Sequence, residues 1–194
     1  MTNKILIIAG EPSGDRLAAE LVSEIIKRKP DLQFSGIGGT ELETQGTRLL
    51  YRLEQLAFLG LTEIIKHIPF IRSVFNNLIR WIEREKPAAV ILVDYPGFNL
   101  RFAKKVKKFG IPVIYYISPQ LWAWGQNRVT KMKKYVDLLL VIFKFEEEFY
   151  RQFGIEAHFV GHPLVDRTSF TLSAQEYLNY VKALDKHMKR ILAY

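Results

Sequence analysis

The chain contains no cysteine. That absence removes disulfide scaffolds, thiol nucleophiles, iron–sulfur clusters and cysteine-based zinc sites together, and it permits a reducing compartment. Glycine and proline are scarce as well, 12 and 8 in 194 residues, which excludes collagen-like and low-complexity chains. Apolar runs such as Leu138 to Phe143 and Ile111 to Ile117 fall well short of the roughly 18 residues a membrane-spanning helix requires. The first apolar stretch ends at Glu11, too brief and too soon acidic for a secretory signal, so a cytoplasmic location is expected. Acidic residues are in deficit, 20 against 28 Lys and Arg, for a net charge of +8. An anionic partner is implied: nucleic acid, an anionic membrane surface or a phosphorylated substrate. Against these shortages stands a hydrophobic fraction of 48%, enough for a core of its own.

Short β-branched runs bounded by turn residues recur at Lys4 to Ala9, Gln33 to Ile37, Ala88 to Asp94, Pro112 to Ser118, Asp137 to Phe143 and His158 to Val160. Helical patterns separate them, at about Asp15 to Arg28, Ile64 to Glu85, Asn99 to Lys108, Asn127 to Lys134 and Glu146 to Phe153. The strand runs are continuous rather than alternating, as in strands buried on both faces, and the alternation with helices implies right-handed parallel crossovers. The expectation is a doubly wound, Rossmann-like parallel α/β sheet over residues 1–165, followed by a helical tail over 166–194. Within that tail Ser173 to Lys189 reads as one amphipathic helix and Arg190 to Tyr194 as the start of a further strand. A strand with nothing after it suggests that the sequence continues into a second domain.

Ligands of such sheets bind beyond the carboxyl ends of the strands, so the strand-end loops carry the candidates. Gly10-Glu11-Pro12-Ser13-Gly14-Asp15 joins a buried strand to a helix and offers free backbone N–H groups at a positive helix end, suited to an anion or a sugar. It is neither a Walker A loop nor a dinucleotide fingerprint. The plainer use of Ser13 and Asp15 is to cap the helix. Ser13 with His162 and Asp94 would make a formal hydrolase set, although Ser13 sits one place late for a nucleophile elbow. Gly36-Ile37-Gly38-Gly39 is equally a ligand approach or a tight turn. In Asp94-Tyr95-Pro96-Gly97-Phe98-Asn99 an acid ends an apolar strand; burial would raise its pKa, as a general base acting on a hydroxyl requires. The alternative is that Asp94 and Asn99 are caps. Ser118-Pro119-Gln120-Leu121-Trp122-Ala123-Trp124 leads to Arg128. Its two indoles either pack as core or stack on a sugar or acyl chain, and Arg128 would face phosphate. His162, in Gly161-His162-Pro163-Leu164, would donate to substrate or latch a neighbouring domain. No metal site is expected, since His158 and His162 lack an acidic third ligand at suitable spacing.

The 64–82 segment carries an apolar stripe at Ile64, Ile68, Ile71, Phe75, Leu78 and Ile82, the spacing of an ordinary core helix. Phe70, Val74 and Trp81 lie off it, near Lys66, Arg72 and Arg80, with Pro69 expected to break the run. These three either contact a membrane interface or mark a helix buried on two sides.

Taken together, the Gly10–Asp15, Gly36–Gly39, Asp94–Asn99, Ser118–Trp124 with Arg128, and Gly161–Leu164 segments resemble the lipid-A-disaccharide synthase family in order and spacing over about Lys4 to Val165. The resemblance implies one half of a two-domain, B-type glycosyltransferase of lipid A biosynthesis. Such an enzyme transfers diacylglucosamine from its UDP derivative to 2,3-diacylglucosamine 1-phosphate and needs no cofactor. It further implies Asp94 as catalytic base and Glu11, Ser13, Gly14, Asp15, Asn99, Trp122, Trp124, Arg128 and His162 as substrate contacts. Peripheral attachment to the cytoplasmic face of an anionic inner membrane is implied by the same resemblance, with a homodimer left open. Two positions depart from the family pattern: Gly97 stands where many relatives carry a second acid, and Lys144 where they carry Pro. The family's Pro-Gly-Ser-Arg loop and UDP-gripping domain have no counterpart in these residues, so the chain alone is expected to be inactive. Competing expectations are a binding module that holds acylated sugar phosphate without turnover and a serine hydrolase. A nucleic-acid binder fits less well, because the Lys clusters lack interleaved exposed aromatics.

Overall fold

Strands that are apolar on both faces must be covered on both, and this requirement sets the architecture. The computed structural model describes residues 2–56, 61–122 and 128–163, with 61–67 as backbone only. The chain divides into two compact units, Met1–Gly161 and His162–Tyr194, and the sheet belongs to the first. Trp124 and the expected tail elements, Ser173 to Lys189 and Arg190 to Tyr194, lie outside the described residues.

The strands are β1 (Lys4–Ala9), β2 (Gln33–Gly38), β3 (Arg48–Arg52), β4 (Ala89–Val93), β5 (Val113–Tyr116), β6 (Leu138–Val141) and β7 (Ala157–Phe159). They form one parallel sheet in the order β3-β2-β1-β4-β5-β6-β7. The helices are α1 (Pro12–Arg28), α2 (Thr40–Thr44), α3 (Leu61–Glu85), α4 (Pro96–Val106), α5 (Val129–Tyr135) and α6 (Lys144–Arg151). Side chains alternate across the sheet with period two. Leu6, Ile8, Val90 and Leu92 pack with α3, α4, α5 and α6 on one face. Ile5, Ile7, Ala9, Ile91 and Val93 pack with α1 and α2 on the other. This is the doubly wound arrangement the sequence implies. Chain order reverses between β1 and β4, so the loops after these two strands diverge and open a crevice at the carboxyl edge.

Several expectations need correction. The β3 strand and the short α2 helix stand where the sequence pattern marks no element. Helix α3 continues through Pro69 instead of breaking there. Val74 and Trp81, offered either to a membrane interface or to a helix buried on two sides, are buried against the sheet with Leu78 and Ile82, as the second alternative has it. Phe70 is half-buried and meets Tyr51 edge-on. The helix therefore turns its supposedly off-stripe residues inward, and it is Ile68, 53% exposed, that stands out. Among the described residues, no helix is long and apolar enough to cross a membrane.

Candidate active site

Asp94 and Tyr95 leave β4 with φ of +45° and +48°, and Ile117, just past β5, has φ of +62°. Left-handed backbone is uncommon for any residue with a Cβ, and for a β-branched one it is an outlier. Each such residue costs about 1–3 kcal/mol and persists only where its surroundings enforce it. All three lie at the carboxyl edge of the sheet, beside the switch point.

The enforcement is visible around Asp94. Its main-chain carbonyl accepts hydrogen bonds from Tyr115 Oη at 2.6 Å and from Asn99 Nδ2 at 2.8 Å, and the same amide reaches the Val93 carbonyl at 3.2 Å. The Asp94 side chain is half-buried, and its pKa is raised, chiefly by burial and then by the negative charge of Glu11, against a lowering contribution from the Tyr95 backbone N–H. A carboxyl so placed titrates nearer the pH at which a hydroxyl must be deprotonated. Glu11 is exposed at the start of α1, across the crevice. Ser13 is exposed in the first turn of the same helix, and Gly14 beside it is buried against Ala9 and Val93. Tyr95 folds its ring over Gly10, where a Cβ would stand only 2.3 Å from ring carbon Cδ1. Gly10 is therefore a seat for an aromatic ring.

Three residues of the expected set pack within the fold. Asp15 is only 4% exposed, and its carboxylate accepts from the backbone N–H groups of Gly39 at 2.7 Å, Glu41 at 3.1 Å and Leu42 at 3.4 Å. It does not cap its own helix; it ties α1 to the turn between β2 and α2. Asn99 is fully buried and supports the Asp94 loop from within α4 instead of facing a ligand. Gly14 likewise packs helix on strand. Gly38 and Gly39 leave room for the Asp15 carboxylate, a Cβ at Gly39 lying 2.7 Å from its Oδ2. The second glycine motif thus makes the tight turn that is one of its two expected uses. Replacing Asp15 by Ala would leave three backbone donors without this acceptor; the expected cost is about 1.5–3 kcal/mol, measurable as a lower urea midpoint, with Asp15→Asn recovering part of it.

Trp122 is 38% exposed, so it is not core; it meets Phe145 edge-on at 5.2 Å, and Phe145 stacks with Phe143 at 5.7 Å. Arg128 is exposed at the start of α5 and acts on the Tyr115 hydroxyl. His162 is the first residue of the second unit.

Sequence reasoning did not single out the groove beside Asp94. It is about 550 Å³ in volume and is lined by Ile68, Ile71, Arg72, Phe75, Tyr95, Gly97, Phe98 and Arg101. Its floor is an aromatic stack in which Phe98 lies between Tyr95 and Phe102, with Phe75 edge-on to Phe98. The signal was present in the Tyr95 to Phe98 spacing and the Ile68, Ile71, Phe75 series, but pairing them needs the fold. A hollow of similar size, about 580 Å³, lies between α6 and β7 at the sheet edge and shares no residue with these loops.

A doubly wound half-sheet whose strained acidic loop faces a crevice at the reversal of strand order defines a Rossmann-like domain of the kind found in B-type glycosyltransferases. Solved structures of that architecture resemble it. UDP-GlcNAc 2-epimerase from Neisseria meningitidis, bound to UDP-GlcNAc, matches with a TM-score of 0.60 at 14% identity over 97% of this chain and 53% of that one. MurG from Acinetobacter baumannii matches with a TM-score of 0.51 at 14% identity over 82% and 45%. At such identity the likeness is one of fold alone. The chain belongs to the lipid-A-disaccharide synthetase family, whose model matches residues 5–194. Curated relatives named lipid-A-disaccharide synthase include that of Myxococcus xanthus, 47% identical over 86% of this chain and 44% of its own length. The Coxiella burnetii relative is 44% identical over 91% and 47%, and that of Syntrophus aciditrophicus is 47% identical over 90% and 45%. The chain spans somewhat under half the length of these relatives.

Proposed function

We propose that this chain is the acceptor-binding half of a lipid-A-disaccharide synthase. In the complete enzyme a hydroxyl of 2,3-diacylglucosamine 1-phosphate attacks the anomeric carbon of UDP-diacylglucosamine. The new carbon–oxygen bond forms as the bond to UDP breaks, UDP leaves with the electron pair, and Asp94 takes the hydroxyl proton. The observation that carries this reading is one shared loop: Asp94 supplies a half-buried carboxyl with raised pKa, and its neighbour Tyr95 forms a wall of the apolar groove. Proton acceptor and acyl seat are thus adjacent, as a hydroxyl on an acylated sugar demands. By the family pattern Glu11, Ser13, Trp122, Trp124 and Arg128 supply further substrate contacts, Arg128 toward phosphate. Arg72 and Arg101 at the groove fit an anionic headgroup. Together with the net charge of +8 they support peripheral attachment to an anionic inner-membrane surface on the cytoplasmic side.

Binding tests this without turnover. Gly97 lines the groove, and a Cβ there meets nothing within 4 Å, so Gly97→Trp fills the groove while leaving the core intact. Titration of the chain with a short-chain diacylglucosamine 1-phosphate, tracked by NMR, should perturb Ile68, Phe75 and Phe98. Gly97→Trp should weaken binding by about tenfold or more, roughly the loss of one well-buried apolar contact. Undiminished affinity in the variant would remove the groove from the proposal.

A further inference from the structure

Asp94 and Tyr95 hold consecutive left-handed conformations with no glycine between them, and the Asp94 carbonyl is where two separate elements grip this turn. Tyr115 reaches it from β5, where it lies in register with Leu92 of the neighbouring β4. Asn99 reaches it from the first turns of α4 and extends to Val93 one residue earlier. Both side chains are wholly buried, so neither touches a substrate, and water does not compete for their bonds. A second buried hydroxyl pair, Ser118 with Tyr150, lies in the same core but does not touch the loop.

We propose that Tyr115 and Asn99 are positioning residues for Asp94, holding the left-handed Asp94–Tyr95 pair through the Asp94 main-chain carbonyl so that the Asp94 carboxyl stays in its half-buried place beside Glu11. This rests on Asp94 being the base. Without the grip, the pair relaxes toward the extended backbone that non-glycine residues prefer, and the carboxyl turns into water. The groups facing that carboxyl are Glu11 from α1, Tyr95 from its own loop and Tyr115 from β5. Tyr150 from α6 and Arg128 from α5 act on Tyr115, without bonding to the Asp94 carbonyl.

The test is a carbon-13 NMR titration of the Asp94 carboxyl in the 194-residue chain, read with the Asp94 and Tyr95 α-carbon shifts that report left-handed backbone. In Tyr115→Phe and in Asn99→Ala the chain should stay folded. The left-handed shift signature should fade, and the Asp94 midpoint should fall toward the range of a free aspartate. Tyr150→Phe, which removes a buried hydroxyl that does not grip the loop, should leave both signals in place. Either gripping variant, once folded, decides the matter: unchanged shifts and midpoint overturn the proposal. It is equally overturned if Tyr150→Phe moves Asp94 as far, or if both gripping variants fail to fold and so prove to be simple core residues. Loss of positioning in these spectra is independent of whether Asp94 is the base, which the turnover of an Asp94 variant decides.

Discussion

Asp94→Asn, placed in a full-length synthase that carries this half, should lower turnover by about 10²- to 10⁴-fold, the usual span for removing a general base. Acceptor binding should change far less, since Asn keeps the shape of the side chain and the main-chain carbonyl that Tyr115 and Asn99 hold. Stability should move in the opposite direction. Burial raises the folded pKa of Asp94 above its unfolded value, so the folded state binds more protons across the interval between the two. Stability therefore falls as pH rises through that interval, and the charged carboxylate is a liability at neutral pH. The Asn variant should be as stable as the parent at neutral pH or slightly more so, and it should lose the part of the pH dependence due to this group. Steady-state kinetics with urea melts at two pH values check both halves. A slow enzyme that is also markedly less stable would mean that the substitution had damaged the loop instead of removing a base.

Gly36→Ala should be the most damaging small substitution in the sheet. Gly36 of β2 lies in register with Ile7 of β1, and a Cβ there would stand 1.7 Å from the Ile7 carbonyl oxygen and 2.7 Å from its carbonyl carbon. No rotamer relieves a clash with backbone, so β2 has to move off the central strand or slip its register. The expected loss is about 3 kcal/mol, the upper end of what overpacking costs, or a fall in Tm of roughly 6–12 °C for a domain of this size. Gly97→Ala is the contrast: the site is open, and the position lies near the start of α4, where Ala is the better helix former. Thermal melts of the two variants should shift in opposite directions. A Gly36→Ala chain that melts with the parent would mean that the strands separate more easily than their register implies.

The sheet was legible because burial on both faces writes itself as unbroken apolar runs. Lys4–Ala9 and Ala89–Val93 need no partner to be recognised as strands. The Arg48–Arg52 strand was illegible for the opposite reason: an edge strand with arginine at both ends and no buried residue among its five has no such signature. Asp94 stands out as a candidate from its place at a strand end. Asp15 and Asn99 could not be told from it, because a polar residue in a strand-end loop looks the same whether it faces a ligand or a backbone amide. What separates them is the partner, and Gly39 and the Asp94 carbonyl come near only after the chain has folded. Val74 and Trp81 stayed open between a membrane interface and burial for a related reason: what covers a helix beyond its main stripe is decided only by the fold. Tyr115 was hidden by its surroundings, since a phenol inside a valine- and isoleucine-rich strand reads as bulk.

The reversal of strand order at the crevice also governs when the site can form. β1 begins at residue 4, yet one of its two neighbours is β4, residues 89–93. As the chain emerges from the ribosome, β1 and β2 can meet early, but the opposite flank of β1 stays open until residue 93 has been made. The Asp94 turn then still waits for Tyr115 on β5. Long-range parallel pairing of this kind is slow and leaves strand edges exposed in the interval. The nascent protein therefore passes through a stage in which β1, apolar from Ile5 to Ala9, has one edge unpaired. The acidic turn locks only once β5 brings Tyr115 to the Asp94 carbonyl, so the crevice acquires its proposed base only after both flanks of β1 are paired.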